Sequence, residues 1–481
     1  MATKSEKMSL FLVVVAICAG CSVVSAKEAK LARVTDITKT IGTTWHSSLY
    51  LYPLAEYHDE MEAAGIKWYR GFLDWDRVEM KEKDYYVFPG YTLKDGTYIE
   101  DKARYRYESL LKHGITPYVM LCYGNDLYGK YSEGGYDPNK PETDYLSPEG
   151  FANYCGEVVE RYKDIIHHWE IGNEPRNFFF GRYYGGDMRT GDKWIPHFVE
   201  WTNQAAKKIR EIQPDAYILS AGDDHLNDIP NYFPQIAENV DAMAIHPYVA
   251  VQGGDPTPEG RHEEIERMVD LANANGVKDV WITEFGWQTE SEAPGYEFNL
   301  NMGGRKVTGL GQAKYLLRAM FYYPLSCEIK VVGQFCWKEA APGFSMSPTT
   351  QSAHTNMHTL LGGASKSVSL ENLKGTKITT DFTDKIKLDL EKKLVDYLLV
   401  KDKNTFYYVY WLKIEQEENF KRPKIKFVAE FPEDIDISSV KSYDVIVSDK
   451  PQPVEFEKSD NKIIINELEI GDYPLIIEFV K

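Results

Sequence analysis

The sequence predicts an α/β architecture, a closed (β/α)8 barrel followed by an antiparallel β-sandwich. Three observations carry this. From about residue 33 to 362, short apolar runs alternate with amphipathic stretches of helical period, eight times in succession. After about residue 363 that period fades, and Lys, Asp and Glu alternate with Ile, Val, Tyr and Phe. A length of 481 residues at 43% hydrophobic content is enough for two cored domains, one of them a barrel of roughly 250 residues or more.

The elements follow in order. The first strand covers 40–46, and a helix over 56–64 ends at Gly65. The second strand is 66–72. A helix over 104–113 stops at Gly114, and the third strand is 116–123. Ser147 with Pro148 opens a helix to about residue 162, Pro being favoured in the first turn. The fourth strand is 165–171. A long helix over 193–212 is stopped by Pro214, before the fifth strand at 217–221. Then come a short helix over 230–238 and the sixth strand at 242–246. A helix over 258–275 precedes the seventh strand at 280–284. A helix over 311–324, the eighth strand at 331–337 and a helix over 353–361 complete the cycle. Successive strand–helix units predict parallel strands closing on themselves. An open doubly wound sheet would usually carry a Gly-rich phosphate turn after its first strand. Gly42-Thr43-Thr44-Trp45-His46 has no such turn.

In the tail, 385–390, 406–410, 424–428 and 462–465 alternate as strands. Lys403-Asn404 and Ser459-Asp460-Asn461 give turn signals between them. They read as a sandwich with one wet face per sheet. Its expected role is support, since no aromatic platform for sugar stands out. The first 26 residues stand apart from the fold. Lys4 and Lys7 precede an apolar run over 10–20, too short to span a bilayer. Val24-Ser25-Ala26 fits a signal-peptide cleavage site, and Ala19-Gly20-Cys21 fits a lipoprotein leader lipidated at Cys21. Both readings export the protein, to the periplasm, the medium or the cell surface. The expected organisation is a leader over 1–26, a barrel over 27–362 and a sandwich over 363–481. No later stretch reads as a transmembrane helix. A formal charge of -18 without a basic stripe argues against a nucleic-acid partner. Cys122, Cys155, Cys327 and Cys336 lie in apolar segments with no zinc-like spacing, and read as buried thiols.

The chemistry concentrates at two strand ends. Asp164-Ile165-Ile166-His167-His168-Trp169 leads into Glu170-Ile171-Gly172-Asn173-Glu174-Pro175, and Val280-Trp281-Ile282-Thr283 leads into Glu284-Phe285-Gly286. In a parallel barrel all strand C-termini share one mouth. Strands four and seven face each other across it, which can bring two carboxyls to about 5 Å. That is the separation for a covalent glycosyl-enzyme mechanism. Each glutamate alone could be a solvated loop carboxylate or a partner of an arginine; the joint pattern points to Glu174 and Glu284 as a catalytic pair.

Asn173-Glu174-Pro175 after strand four, with Thr283-Glu284-Phe285-Gly286 at strand seven, resembles clan A of the glycoside hydrolases. The run from Trp169 to Pro175 and the β-rich tail resemble family 39 most, with family 5 close behind. The resemblance implies that Glu174 is the acid/base, Glu284 the nucleophile, and Asn173 a hydrogen-bond partner of the sugar hydroxyl next to the reacting carbon. It also implies that Arg70 keeps the nucleophile ionised, and that His246 and Tyr248 bond substrate or Glu284. Trp337 takes the place of a sugar-stacking aromatic, with a plain core tryptophan as the alternative. His246 reads equally well as a buried, satisfied histidine. His46 and Asn125 are further candidates at the mouth. The loop after Glu174 carries Arg176, Arg182 and Arg189 among Phe178, Phe179, Phe180, Tyr183 and Tyr184. Its aromatics could stack on sugar rings, and its arginines read as balancing local acids.

The expected function is retaining cleavage of β-linked or equivalent equatorial O-glycosidic bonds in a polysaccharide or oligosaccharide, without cofactor or metal. Transglycosylation is open to the same intermediate. Two rivals stand beside it. A metal-dependent barrel hydrolase would want a His-x-His on strand one, where only His46 is present, although Asp223-Asp224-His225 is a possible ligand cluster. A non-catalytic carbohydrate-binding surface protein could keep the cleft without the chemistry.

Overall fold

A computed structural model describes residues 27–28, 37–44, 57–128, 146–178, 192, 194–249, 255–289, 306–338, 344–361, 375–382 and 390–481. The leader with Cys21, the strand-one end with His46, and Arg182 and Arg189 with their aromatic neighbours lie outside these residues. So does the first sandwich run, 385–390, except for Leu390.

Eight parallel strands close into a barrel in chain order. They are β1 (Ile41–Thr44), β2 (Trp68–Asp74), β3 (Thr116–Cys122), β4 (His168–Ile171), β5 (Tyr217–Leu219), β6 (Ala242–Ile245), β7 (Asp279–Ile282) and β8 (Val331–Gln334). β8 pairs back onto β1, with Val332 opposite Ile41 and Gln334 opposite Thr43. The helices between them start and stop where the residues say they should. Ser147 accepts a hydrogen bond from Gly150 N at 3.1 Å ahead of the helix Pro148–Tyr162. Gly65, Gly114 and Gly276 end their helices at φ of 76°, 67° and 80°. Cys122, Cys155, Cys327 and Cys336 are buried, and no disulfide joins them.

The boundaries move by a few residues, and for stated reasons. β2 runs two residues later than expected. Ile66 N is spent on Met61 O at the end of the preceding helix, while Leu73 and Asp74 extend the pairing to Leu121 and Cys122. A one-turn helix, Trp75–Val78, and a small hairpin, Tyr91–Thr92 with Tyr98–Ile99, follow β2. Neither has a hydrophobic period long enough to read.

The tail forms two antiparallel five-stranded sheets. The labelled strands are β9 (Lys377–Phe382), β10 (Leu394–Val400), β11 (Thr405–Leu412), β12 (Lys424–Glu430), β13 (Ser439–Tyr443), β14 (Gln452–Pro453), β15 (Glu457–Ser459), β16 (Lys462–Glu469) and β17 (Leu475–Val480). One sheet has the order β9-β12-β16-β15, with Lys27–Glu28 at its edge, and the other β10-β11-β17-β13-β14. The first has the expected alternation of buried and exposed residues along β12 and β16. The second corrects the expectation of a wet face. β11 is buried along nearly its whole length. Phe406, Tyr408 and Tyr410 join the sandwich core, while Tyr407, Val409 and Trp411 join the core of the barrel. A strand covered on both faces is a continuous apolar run, and Phe406 to Trp411 is one.

The barrel helix Gly309–Cys327 lies against this second sheet, and 16 of its 19 residues are buried. It carries two cations into the interface. Lys314 Nζ donates to both oxygens of Asp472 at 2.9 Å, with the Asp472 side chain fully buried. Arg318 pairs with Glu259, which also accepts from Trp411 Nε1 at 2.7 Å, and Arg318 Nη1 donates to Ile414 O at 2.6 Å. Asp472→Ala would strand a buried ammonium, a loss of about 3–5 kcal/mol. The expected result is a lower urea midpoint in a single transition, because barrel and sandwich share one apolar core. Two separated transitions would contradict that coupling. Among the described residues no helix is long and apolar enough to cross a membrane.

Candidate active site

The site grows from strand ends. Along β4, Trp169 and Ile171 point out into the apolar shell of the barrel. Glu170, between them, points in and is fully buried. The chain then turns at Gly172, φ 84°, where a Cβ would stand 3.0 Å from the Trp201 ring. Asn173 bridges to Gly222, and Glu174 N donates to Gly222 O at 2.8 Å. Glu174 itself sits at φ 39°, an unfavourable region for a side-chain-bearing residue, held there by that bond.

Arg70, from β2, is fully buried. Its Nε and Nη2 donate to the two oxygens of Glu170 at 2.5 and 2.7 Å. Nη2 also donates to Asn173 Oδ1 at 2.9 Å, and Nη1 donates to Glu284 Oε1. Because Arg70 can only donate, this identifies the Asn173 oxygen and directs Asn173 Nδ2 away, toward Tyr123 OH at 3.3 Å. Glu284, two residues past β7, receives a second donor, Tyr248 OH, on Oε2 at 3.0 Å. His246, fully buried past β6, sits between the carboxylates. Its Nδ1 is 2.9 Å from Glu174 Oε1 and 3.9 Å from Glu284 Oε2. One atom each of Glu174, His246 and Glu284 lie within 4.8 Å of one another.

The two carboxyls have opposite surroundings. Glu284 faces a permanent cation and a phenol. Glu174 is pushed up to about 8, first by burial and next by the negative charge of Asp224; Asn177, Arg70 and His225 oppose this. A carboxyl held above its ordinary 4.5 makes the fold weaker as pH rises from there to about 8, because the folded state holds the proton more tightly. Glu174→Gln has no proton to lose. Its melting temperature is therefore expected to gain on that of the parent across this window and to stay ahead above it. Parallel melting curves against pH would show that Glu174 is not the titrating group.

The remaining expectations divide. Arg70, Asn173, Glu174, His246, Tyr248 and Glu284 converge. Trp337 is 1% exposed and packed in the barrel core, so it offers no open face to a sugar ring. Asn125 is also inward: its Nδ2 donates to Glu79 O at 2.8 Å and its Oδ1 accepts from Leu127 N at 2.9 Å. It ties two loops together instead of facing the mouth. Arg176 donates to Asp228 Oδ1 at 2.8 Å, as an arginine balancing a local acid. Asp223, Asp224 and His225 do bring one ligand atom each within 4.8 Å of one another, the spacing of a cation site, as do Glu174, His246 and Glu284. In the first set those atoms are engaged with protein. Asp223 caps His225 N at 2.9 Å and accepts from Tyr232 OH at 2.9 Å, and Asp224 bonds His225 Nδ1 at 2.7 Å and Asn177 Nδ2 at 2.8 Å. A groove of about 680 Å3 lies elsewhere, in the sandwich, lined by residues such as Asp444, Phe456 and Glu467.

Residues to which the motif reading gave no catalytic part complete the site: Glu170, Thr283, Gly222 and Asn177, with Asp224, which it offered only within a possible ligand cluster. Glu170 had a signal. A carboxylate between Trp169 and Ile171 in an apolar strand calls for a buried partner, and Arg70 is a cation inside another apolar strand run. Asn177 has none, being an ordinary loop residue until the fold brings it to Glu174, and the run Asp223-Asp224-His225 pointed to a metal site instead of to Glu174.

No family model and no curated protein matches this chain. Solved structures do, among them enzymes named as glycoside hydrolases of families 39 and 30. A family 39 glycoside hydrolase from the gut symbiont Bacteroides cellulosilyticus WH2 superposes with a TM-score of 0.56 at 17% identity, covering 93% of this chain and 82% of that one. A monomeric β-xylosidase from Caulobacter crescentus CB15 gives 0.56 at 13% identity, covering 94% and 98%. A family 30 endoxylanase from Clostridium papyrosolvens C71 gives 0.53 at 9% identity, covering 94% and 98%. The shared property is the fold, a parallel eight-stranded barrel with an antiparallel sandwich, as the sequence resemblance implied.

Proposed function

We propose that this chain is an exported retaining glycoside hydrolase, with Glu284 as nucleophile and Glu174 as acid/base. The observation that carries the proposal is the carboxyl pair itself: oxygens within 4.8 Å, one carboxylate bonded by Arg70 and Tyr248 and the other pushed up by burial and by Asp224. Retaining enzymes hold their carboxyls about 5–5.5 Å apart, and inverting ones about 6.5–9.5 Å, to seat a water. Glu284 attacks the anomeric carbon as the bond to the leaving oxygen breaks, and that oxygen takes the proton of Glu174. Glu174, now a carboxylate, takes a proton from water, whose oxygen attacks the same carbon and frees Glu284. Asn173 Nδ2, oriented through Arg70, is placed to bond the neighbouring sugar hydroxyl.

The substrate is a polysaccharide or oligosaccharide with equatorial linkages. The structural neighbours named for xylosidase, endoxylanase and glucanase-xylanase activity make xylosides and glucosides the first to test. The test is a panel of aryl glycosides and polysaccharides with product anomers followed by NMR. Retained configuration is expected. Inverted product rejects the double displacement, and glycan binding without any turnover moves the chain to the non-catalytic reading.

A further inference from the structure

The direction of each hydrogen bond behind the paired carboxyls can be worked out from one fixed point, Glu170. Paired with Arg70 through both oxygens, it is an acceptor only. It also accepts from Gly222 N at 3.0 Å and from Thr283 Oγ1 at 3.2 Å. Thr283 has a single hydroxyl proton, and Glu170 takes it. Thr283 Oγ1 can then only accept from its other neighbour, His246 Nε2, at 3.0 Å. His246 is fully buried, and burial lowers its pKa, so the ring is neutral and carries one N–H. With that N–H on Nε2, Nδ1 presents a lone pair to Glu174 Oε1 at 2.9 Å. Two acceptors make no bond at that distance unless one carries a proton, and the neutral ring leaves Glu174 as the carrier.

We propose that Glu170 is a positioning residue that fixes the His246 tautomer through Thr283 and thereby keeps the proton on Glu174, while the same carboxylate aims Arg70 at Glu284. This rests on the glycosidase reading above and deepens it: one buried carboxylate, touching neither substrate nor reacting atom, reaches Glu174 through Thr283 and His246 and Glu284 through Arg70. In the unliganded site the proton lies between Glu174 Oε1 and His246 Nδ1, and the leaving oxygen, more basic as its bond breaks, draws it away. The bared carboxylate then faces a lone pair, which favours taking a proton back from the incoming water.

Gly222 gives the chain its room. A Cβ there would stand 2.2 Å from His246 Nε2 and 2.5 Å from Thr283 Oγ1, so any side chain would break the middle of the relay. The other groups facing Glu174 are Asp224, which reinforces the effect, and Asn177, His225 and Arg70, which oppose it. Around His246 stand Glu284, Glu170 and Asp224 on the raising side and Arg70 on the lowering side, with Tyr248 edge-on to the ring. None of these determines which ring nitrogen carries the hydrogen; the Thr283 contact does.

The test uses the full chain. In the parent, 15N NMR of the histidines is expected to show His246 with hydrogen on Nε2. Thr283→Val keeps Glu170 and Arg70 paired but removes the relay. It is expected to shift His246 toward a mixture of tautomers. It should also move the alkaline limb of kcat/KM down by about one pH unit, a tenfold change in the proton affinity of Glu174, with the acid limb in place. Thr283→Ser, which restores the hydroxyl, should restore both readings. An aryl glycoside whose phenol leaves without protonation should lack the alkaline shift. A folded Thr283→Val with the tautomer and pH profile of the parent overturns the proposal. If the chain hydrolyses no glycoside, the function proposed above fails, while the tautomer measurement still decides the relay.

Discussion

Glu284→Ala is expected to lower kcat on glycosides by on the order of 10^5-fold or more, the scale on which covalent enzymes lose rate with their nucleophile. The reason is geometric. The carboxylate that would attack is held through one oxygen by Arg70 Nη1 and through the other by Tyr248 OH, and neither donor can serve as a nucleophile in its place. Removing the side chain also opens a small space beside a cation. Azide should fill it and attack the anomeric carbon from the same face, restoring turnover of an activated aryl glycoside with an inverted glycosyl azide as product. Glu174→Ala should behave differently. It should lose about 10^2–10^4-fold on substrates whose leaving group needs a proton, and little in the first step on those that do not. Equal, small losses in both variants would remove the two-carboxyl mechanism.

Arg70→Ala is expected to be the most damaging single change to stability near the site, at about 3–5 kcal/mol. The guanidinium is the only cation that Glu170 contacts among the described residues, and Glu284 and Asn173 bond it as well. Without it, two carboxylates stay in the barrel interior uncompensated. The deficit should shrink at low pH, where both can be occupied by protons, and grow toward neutrality. Arg70→Lys should recover little, because an ammonium, lacking the planar fork, cannot reach the four oxygens that the guanidinium holds. Urea titrations of both variants across acid and neutral pH measure this. A pH-independent deficit would mean that lost packing, and not stranded charge, dominates.

Much of the architecture was legible from one-dimensional pattern. Eight apolar runs separated by capped helices can close only as a parallel barrel, and strand ends that share a mouth name Glu174 and Glu284. Boundaries were less legible. Competition for single backbone groups sets them, as where Ile66 N goes to Met61 O and β2 starts at Trp68. The second sheet of the sandwich was misjudged as half wet. The run Phe406 to Trp411 is apolar on both faces, and only the helix Gly309–Cys327 reveals what covers the second one. Trp337 and Asn125 show the converse error, strand-end residues that turn inward to core and loop contacts.

Periodicity and strand-end chemistry therefore determined the barrel, the sandwich and the carboxyl pair, because these depend on neighbours a few residues away along the chain. Tertiary structure alone decided the surroundings that push the Glu174 carboxyl up. They depend on Asp224 and His246 beside Glu174 and, behind them, on Glu170, Gly222 and Thr283, brought from four different strand ends into one hydrogen-bonded chain. In a buried site a single donor or acceptor outweighs local propensity, since nothing there can be replaced by water.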